Sequence, residues 1–281
     1  MNALYIRNLS KKYDGFFLDN INITLPKGSI MGFIGENGAG KSTTIKLILE
    51  LIKRDSGEIK IYDLDNRENS SDLKQNIGVV LDECSFPENL TIKEIRIILK
   101  NVYKNWTEED FSKYIQKFEL PMQKKIKEFS KGMKMKLSIA AALSHKANFL
   151  IFDEPTSGLD PVVRDEILDV LLDFIQNPEN TIFMSSHITS DLEKIADYIT
   201  FIHKGKIIMS EPKDEIIYNY GILKCTNDEF EKIDKSLIKG YRKNNFGVEA
   251  LVLKKDFDRD FIIDNASIDD IMVYIIRSEK S

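Results

Sequence analysis

Short apolar runs of strand length alternate along the chain with longer segments of helical period. Ile30–Ile34, Phe149–Phe152 and Thr181–Ser185 are largely apolar throughout, which is typical of strands buried on both faces in a parallel sheet. In Lys41–Leu51 and Val162–Ile175 the apolar positions recur with the period of an amphipathic helix. This alternation predicts an α/β fold with a doubly wound core.

Two segments before this core alternate apolar and polar positions. Leu4–Ile6 and Ile21–Leu25 therefore predict half-buried strands of a small antiparallel β subdomain, with a turn at Pro26-Lys27-Gly28. Later in the chain, Asp191–Asp197 predicts a short helix, and an apolar hairpin is predicted around Lys204-Gly205.

From about residue 87 to residue 145 the pattern becomes helical, which predicts a helical subdomain. Thr91 followed by Glu94 has the pattern of a capping box, and Thr107 with Asp110 indicates a similar helix start. Lysines cluster late in this region, at Lys124, Lys125, Lys127, Lys131, Lys134 and Lys136. We expect them to form a solvated helix face, with attraction of phosphate as the alternative.

The end of the chain, residues 213–281, predicts a small α+β accessory domain. Its pattern indicates a strand at Ile222–Cys225, a helix at Asn227–Leu237, a hairpin turning at Asn244–Gly247 and a final helix from Ser267. No catalytic constellation is visible there.

Composition limits the class of protein. The 281 residues, 42% of them hydrophobic, are enough for one large domain and a small one. A net charge of −5 provides no global basic field, so no nucleic-acid partner is expected. Cys84 and Cys225 are too few for a disulfide scaffold and lack zinc spacing, as expected in a reducing cytosol. No apolar run approaches the roughly 18 residues that cross a bilayer, and MNALYIRNLS lacks a signal peptide's apolar stretch.

The segment GENGAGKST matches G-x-x-x-x-G-K-[ST], between a predicted strand and a predicted helix. Its glycines let backbone N–H groups turn inward, and the following helix adds its positive end, so that the loop binds phosphate. We expect Lys41 to bridge the β- and γ-phosphates, Ser42 to bind Mg²⁺ and Thr43 to contact the α-phosphate. The ATP-binding residues predicted in this loop are Gly35, Asn37, Gly38, Ala39, Gly40, Lys41, Ser42 and Thr43. A chance glycine-rich turn would not explain the flanking strand and helix.

Adjacent acids follow the apolar strand Phe149–Phe152. A parallel strand delivers Asp153 and Glu154 to the carboxyl edge of the sheet, where α/β proteins bind ligands. We expect Asp153 to hold Mg²⁺ through its water shell and Glu154 to polarise, or take a proton from, the water that attacks the γ-phosphate. Solvated acids at a strand end are the alternative, but they would not explain why the pair leads directly into Pro155–Asp160.

Taken in order, GENGAGKST, FSKGM, FDEP, SGLD and the histidine of MSSH resemble the nucleotide-binding subunit of an ATP-binding cassette (ABC) transporter. The resemblance covers roughly residues 1–212 and implies a P-loop NTPase core of the ABC type, with antiparallel β and helical subdomains. Residues 213–281 resemble the small C-terminal extension of some exporter-type subunits, which implies a role in regulation or dimer contact. A packing role is the alternative.

The resemblance also implies roles for residues outside the P-loop. Ser130 and Gly132 contact the γ-phosphate of an ATP held by a second subunit, and Asp160 lies at the dimer seam. His187 contacts the γ-phosphate and maintains the hydrolytic geometry. Tyr13 matches the aromatic residue that stacks on adenine; taken alone, it would be assigned to packing.

The chain departs from the family pattern in two places. Phe129–Met133 replaces the usual LSGGQ signature, although the serine and the second glycine are kept. Asp82 stands where the family places a glutamine that reaches Mg²⁺ and senses the transmembrane partner. A carboxylate is still a hard ligand for Mg²⁺, but it adds negative charge beside Asp153 and Glu154. Glu83 could take the same role, and the alternative is that both acids of this loop are simply solvated.

The resemblance implies an ATPase that dimerises around two Mg·ATP and powers a separate transmembrane permease. It further implies a cytoplasmic protein, peripheral on the inner face of the cell membrane and in contact with the membrane only through its partner. The SKGM signature and the acid at position 82 look like exporters of drugs, peptides or lantibiotics. One alternative is a soluble ABC protein of translation or DNA maintenance, which would normally carry two cassettes or a long coiled coil. The other is a non-hydrolysing regulatory module, which would be expected to lack Glu154 or His187.

Overall fold

The computed structural model describes residues 1–68, 70–257 and 261–278. The strands among them are β1 (Asn2–Tyr13), β2 (Phe16–Pro26), β3 (Ile30–Ile34), β4 (Ser56–Ile61), β5 (Leu64–Asp65), β6 (Ile77–Val80), β7 (Phe149–Asp153), β8 (Thr181–Ser186), β9 (Tyr198–His203), β10 (Lys206–Pro212), β11 (Tyr220–Cys225), β12 (Ile238–Asn244), β13 (Gly247–Leu253) and β14 (Ile262–Asn265).

The α-helices of the described residues are α1 (Lys41–Ile48), α2 (Ser70–Gln75), α3 (Ile92–Val102), α4 (Glu108–Lys117), α5 (Lys131–Leu143), α6 (Pro161–Ile175), α7 (Thr189–Ile195), α8 (Lys213–Asn219), α9 (Asn227–Lys232) and α10 (Ile268–Ser278). Short 3-10 helices span Ile126–Glu128, Lys235–Leu237 and Lys254–Asp256. No helix in the described ranges is both long enough and apolar enough to cross a bilayer.

The central sheet has the order β10-β9-β3-β8-β7-β6 and is parallel except for the edge strand β10. Every residue of β3, β7 and β8 is buried, as the continuous apolar runs predict. Since parallel strands end at one edge, the residues that follow β3, β6, β7 and β8 meet on the same side of the molecule. The predicted α/β core is confirmed.

The antiparallel subdomain is a second sheet of order β2-β1-β4-β5. Strands β1 and β2 are longer than the predicted segments Leu4–Ile6 and Ile21–Leu25. They meet in a tight hairpin at Asp14-Gly15, where Gly15 has φ +81°. Strand β4, which pairs with β1 and places Ile59 opposite Ile6, was not predicted. A buried apolar cluster joins this sheet to the central one through residues such as Ile6 and Phe33.

The helical subdomain consists of α3, α4 and α5. The capping box at Thr91 is confirmed, since its hydroxyl accepts from Glu94 N and the Glu94 carboxylate accepts from Thr91 N. The helix start predicted at Thr107 is confirmed, although it lacks a capping box. Thr107 is the N-cap residue of α4, but its hydroxyl bonds the Asp110 carboxylate and the Ser144 carbonyl instead of a backbone N–H of the first turn. Helix α5 starts at its N-cap residue, Ser130.

The C-terminal region, residues 213–278 as far as they are described, forms a third sheet of order β12-β13-β11-β14 with α8, α9 and α10. The single helix predicted over Asn227–Leu237 is wrong at its end. The observed helix, α9, ends at Lys232, because Asp234 caps a separate 3-10 turn by accepting a hydrogen bond from Ser236 N. The final helix follows Ser267 as predicted, but α8 and β14 were not foreseen. The last three residues of the predicted accessory domain lie outside the described residues.

Candidate active site

The P-loop lies between β3 and α1, in the strand and helix context that its motif requires. Gly40 is the N-cap residue of α1 with φ +117°, a conformation that favours glycine. A Cβ atom on Gly35 would lie 2.4 Å from the carbonyl oxygen of Ile202, so a larger residue would displace the loop from β9. The loop is therefore packed against the central sheet with its glycines at positions that side chains would disturb.

Lys41 is buried at the centre of this loop, with 6% of its side chain exposed. Its Nζ donates to the carbonyl oxygens of Gly35 (2.7 Å) and Glu36 (3.3 Å) and lies 3.2 Å from Glu154 Oε1. Ser42 and Thr43 follow on the first turn of α1 and line the adjacent cleft. The ammonium group is thus fixed where the loop, the helix start and the end of β7 meet.

Asp153 and Glu154 occupy different environments at the end of β7. Asp153 is 7% exposed and accepts a 2.6 Å hydrogen bond from the Ser185 hydroxyl. The same hydroxyl accepts from Glu154 N at 3.1 Å, and Glu154 has φ +54°, which is uncommon for a non-glycine residue. Ser185 therefore orients both acids from the neighbouring strand. Sequence reasoning missed it, although a serine that ends an apolar strand directly before Ser186-His187 was an available signal.

The Glu154 carboxylate lies between the side chains of His187 and Lys41. Its Oε2 lies 2.5 Å from Nδ1 of His187 and accepts from the backbone N of His187 at 3.2 Å. Its Oε1 faces Lys41 and accepts no hydrogen bond from the described residues. The carboxylate is thus oriented by His187 on one side and directed to the Lys41 ammonium on the other.

Asp82 lies in the loop after β6 and lines the same cleft as the P-loop, Asp153 and Glu154. Its Oδ1 is 3.6 Å from Lys131 Nζ, with both side chains about half exposed. Glu83 instead lines a neighbouring cavity of about 450 Å³ between this loop and α5. Of the two acids, Asp82 is therefore the one placed at the cleft, and Lys131 is a contact that the sequence did not predict.

Three predicted residues lie away from the cleft, at helix N-termini. The Ser130 hydroxyl caps α5 by accepting from Met133 N at 3.2 Å, and Asp160 caps α6 by accepting from Val162 N and Val163 N. A Cβ atom on Gly132 would lie 3.3 Å from the Val163 side chain, so the two helix starts are neighbours. They form a separate surface, which does not line this chain's own P-loop cleft.

Tyr13 is 42% exposed at the end of β1, with Lys11 Nζ 5.5 Å above its ring. It does not line the cleft, whereas Gly15 and Phe16 from the same hairpin do. Sequence reasoning missed both of these residues, and it also missed Glu36. The full lining is Gly15, Phe16, Glu36, Asn37, Gly38, Gly40, Lys41, Ser42, Thr43, Asp82, Asp153 and Glu154.

The donor set of this cleft fits a nucleotide with Mg²⁺. Its volume of about 540 Å³ lies in the range of small-molecule sites. The Ser42 hydroxyl and the Asp82 and Asp153 carboxylates are hard oxygen ligands. No group of three or more acidic, histidine or cysteine side chains in the described ranges forms a complete metal site. That agrees with the usual binding of Mg²⁺ by one or two carboxylates together with substrate phosphates.

Comparison with known families supports the same interpretation. A family model described as ABC transporter matches residues 18–157, and one described as an AAA domain matches residues 125–190. Among solved structures, an ATP-binding subunit of an ABC transporter superposes with a TM-score of 0.70 at 26% identity, covering 76% of this chain and 91% of that one. An ATP-binding cassette in its ADP conformation shares the fold, with a TM-score of 0.66 at 24% identity over 76% of this chain and 92% of that one.

Two curated relatives align over most of the chain. The bacitracin transport ATP-binding protein BcrA of Bacillus licheniformis is 37% identical over 203 residues, which are 71% of this chain and 66% of that protein. The lantibiotic transport ATP-binding protein SrtF of Streptococcus pyogenes is 36% identical over 228 residues, 78% of this chain and 97% of that protein. The chain thus spans slightly less than two thirds of the bacitracin protein and nearly all of the lantibiotic protein. Together with the P-loop geometry, these matches show that the chain belongs to the ABC transporter family, as an ATP-binding subunit with the ABC ATPase fold.

Proposed function

We propose that this chain hydrolyses ATP as one half of a dimer and thereby powers transport, in the export direction, through a separate transmembrane permease. The observation that carries the proposal is the position of Glu154. Its carboxylate lies 3.2 Å from Lys41 Nζ and 2.5 Å from His187 Nδ1, at the edge of the P-loop cleft. A base held between a phosphate-binding lysine and an orienting histidine suits attack of water on a γ-phosphate.

Different residues of the cleft would bind phosphate, bind Mg²⁺ and accept the proton during phosphoryl transfer. Lys41 and the N-terminus of α1 bind and neutralise the phosphates, while Glu154 orients the attacking water and accepts its proton. Ser42, Asp82 and Asp153 are the residues that would hold Mg²⁺. Mg²⁺ held by these residues would supply positive charge that offsets the negative charge of the phosphates during the reaction. Catalysis of this kind depends mainly on positioning and electrostatic stabilisation.

A second copy, or a related chain, would complete each ATP site. Ser130, Gly132 and Asp160 cluster at two adjacent helix starts outside this chain's own cleft. Helix α5 carries no acidic residue in its first turn, so its positive end is available to phosphate. We infer that this surface contacts the γ-phosphate bound by the partner's P-loop. Two chains would close on two Mg·ATP, and hydrolysis would reopen them.

The base of the nucleotide is expected against the β1–β2 hairpin. Tyr13 is the residue assigned to adenine stacking, and the half-exposed ring at the end of β1 leaves a face available. Phe16 of the same hairpin lines the cleft directly, so the adenine would lie between the hairpin tip and the P-loop.

The export role and the location rest on the relatives. Their names describe transport of bacitracin and of a lantibiotic. We propose that this chain serves export, bound to the inner face of the membrane through its permease. Residues 1–212 would form the nucleotide-binding domain, and residues 213–281 the accessory domain. These transport relatives give no support to a role in translation or DNA maintenance.

The proposal is tested by substituting Glu154 in the purified chain, with and without its membrane subunit. Glu154→Gln should lower the ATP hydrolysis rate by at least about 100-fold while ATP binding is retained and the closed dimer persists longer. Glu179→Gln is the matched control, because Glu179 is an exposed acid paired with Lys27 away from the cleft. Hydrolysis by Glu154→Gln at close to the wild-type rate would contradict the proposed role.

A further inference from the structure

The C-terminal region contacts the helix that begins two residues after His187. Within this helix, α7, Glu193 is bonded on two sides by residues beyond Pro212. Its Oε1 accepts from Ile268 N at 2.7 Å, and its carbonyl oxygen accepts from Lys213 Nζ at 2.8 Å. Lys213 N also donates to the carbonyl oxygen of Asp197, just after the helix, at 2.8 Å. The C-terminal region therefore holds α7 near its C-terminal end.

Helix α7 depends on such contacts for its position. It has only seven residues, and isolated helices of that length are unstable in water. Its inner face is fixed on β3, where a Cβ atom on Gly32 would lie 2.8 Å from the fully buried Leu192. Helix α7 also contacts α10, where Asp269 Oδ1 lies 3.5 Å from the Thr189 hydroxyl, and Ile268 and Ile271 belong to the same buried cluster as Ile195. The start of α10 thus packs directly against α7.

The link from α7 to the catalytic residues is short. Ile188 is the N-cap residue of α7, and its N donates to the Ser186 hydroxyl at 2.9 Å. His187 stands between them, with its own N directed to Glu154 Oε2 at 3.2 Å. Only His187 and Ile188 separate the end of β8 from the start of α7. A shift of α7 would consequently move the imidazole relative to the Glu154 carboxylate.

We propose that the C-terminal region positions His187 against Glu154 by fixing α7, and that Glu193 is the positioning residue through which it acts. The inference deepens the proposed ATPase function and rests on it. It assigns the region a part in the rate of hydrolysis, whereas a region that served packing alone would leave the geometry of His187 unchanged.

The kinetic test removes the Glu193 carboxylate. Glu193→Ala should lower kcat for ATP hydrolysis by about tenfold and leave KM for ATP close to wild type, because phosphate binding by the P-loop is not altered. Glu193→Gln should retain most of the wild-type rate, since an amide oxygen still accepts from Ile268 N. Glu215→Ala is the matched control, an exposed acid on α8.

A double substitution shows whether Glu193 acts through His187. In a His187→Ala background, Glu193→Ala should cause no further loss of kcat, as expected for residues that act as one unit. If Glu193→Ala lowered kcat by the same factor in the wild-type and His187→Ala backgrounds, the inference would be overturned. An unchanged kcat for Glu193→Ala, or an equal loss for Glu193→Ala and Glu215→Ala, would also overturn it.

A measurement without turnover separates this inference from the proposed function. The chain has three histidines, so the ring resonances of His187 can be assigned by comparison with His187→Ala. Glu193→Ala should shift or broaden them, whereas Glu215→Ala should not. Unmoved His187 resonances would overturn the inference even if ATP is hydrolysed. Absence of hydrolysis in the wild-type chain would contradict the proposed function instead, and the resonance shift would still report on the contact.

Discussion

Glu154 and His187 are joined twice, once through the side chains at 2.5 Å and once through the His187 backbone N at 3.2 Å. The two residues directly follow the adjacent parallel strands β7 and β8, so the sheet brings their backbones together at one edge. A histidine bonded in this way holds one carboxylate oxygen and leaves the other directed to Lys41.

Loss of the imidazole should therefore impair hydrolysis more than binding. We expect His187→Ala to lower kcat by about 100-fold with KM for ATP within a few-fold of wild type. The measurement is steady-state ATPase kinetics with a parallel nucleotide-binding titration. Ser190→Ala, an exposed position on α7, is the control and should behave as wild type. A rise in KM with unchanged kcat would mean that His187 serves binding only.

Asp82 is expected to contribute to Mg²⁺ binding. Asp82→Asn and Asp82→Gln should raise the Mg²⁺ concentration for half-maximal hydrolysis by about two- to fivefold, the effect expected of a half-exposed charge. Asp82→Ala should raise it further and weaken stimulation by the membrane subunit. A Mg²⁺ titration of the ATPase rate, with and without that subunit, provides the measurement.

Glu83→Ala is the matched control for this series, because Glu83 faces the neighbouring cavity and not the P-loop cleft. It should leave the titration unchanged. Wild-type curves for every Asp82 variant, or a larger defect in Glu83→Ala, would show that the loop after β6 has been assigned incorrectly.

His145 predicts a pH dependence of stability. Burial lowers the pKa of this fully buried imidazole below the ordinary histidine value, although its ring nitrogens contact the Ala141 and Ile77 carbonyl oxygens. Below about pH 6.5 the unfolded chain therefore binds a proton that the folded chain does not. The free energy of unfolding should fall as pH drops through this window, by at most about 1.4 kcal/mol per pH unit from this residue.

Denaturant unfolding of wild type and of His145→Gln between about pH 5 and 8 measures this contribution. The difference in free energy between the two proteins should change as pH falls below about 6.5 and stay constant above it. A difference that is independent of pH across the whole range would show that His145 takes up its proton equally in the folded and unfolded chains.

The sequence predicted the strands that carry the site because each is a continuous apolar run next to a motif. It failed where tertiary contacts decide. Strand β4 and the edge strand β14 are partly exposed, so their apolar pattern is weak. Ser185 is defined by its bonds to two acids from another strand, and the Asp82–Lys131 pair joins segments far apart in sequence. The local pattern marks Ser185 only as a serine at the end of an apolar strand and does not identify the partner in either contact.

In the proposed dimer, each ATP is bound between two chains. This arrangement is tested by mixed dimers, isolated with two different affinity tags, that carry Ser130→Arg and Lys41→Ala. With one substitution in each chain, the sandwich places both lesions in one composite site and leaves the other intact. With both substitutions in one chain and a wild-type partner, each site carries one lesion.

The most direct measurement is the number of ATP molecules occluded per mixed dimer, with Glu154→Gln present in both chains so that the count does not require turnover. We expect one occluded ATP when the two substitutions are in different chains and none when they are in the same chain. The reverse result, none in different chains and one in the same chain, would show that Ser130 serves its own chain's P-loop and would contradict the two-chain site.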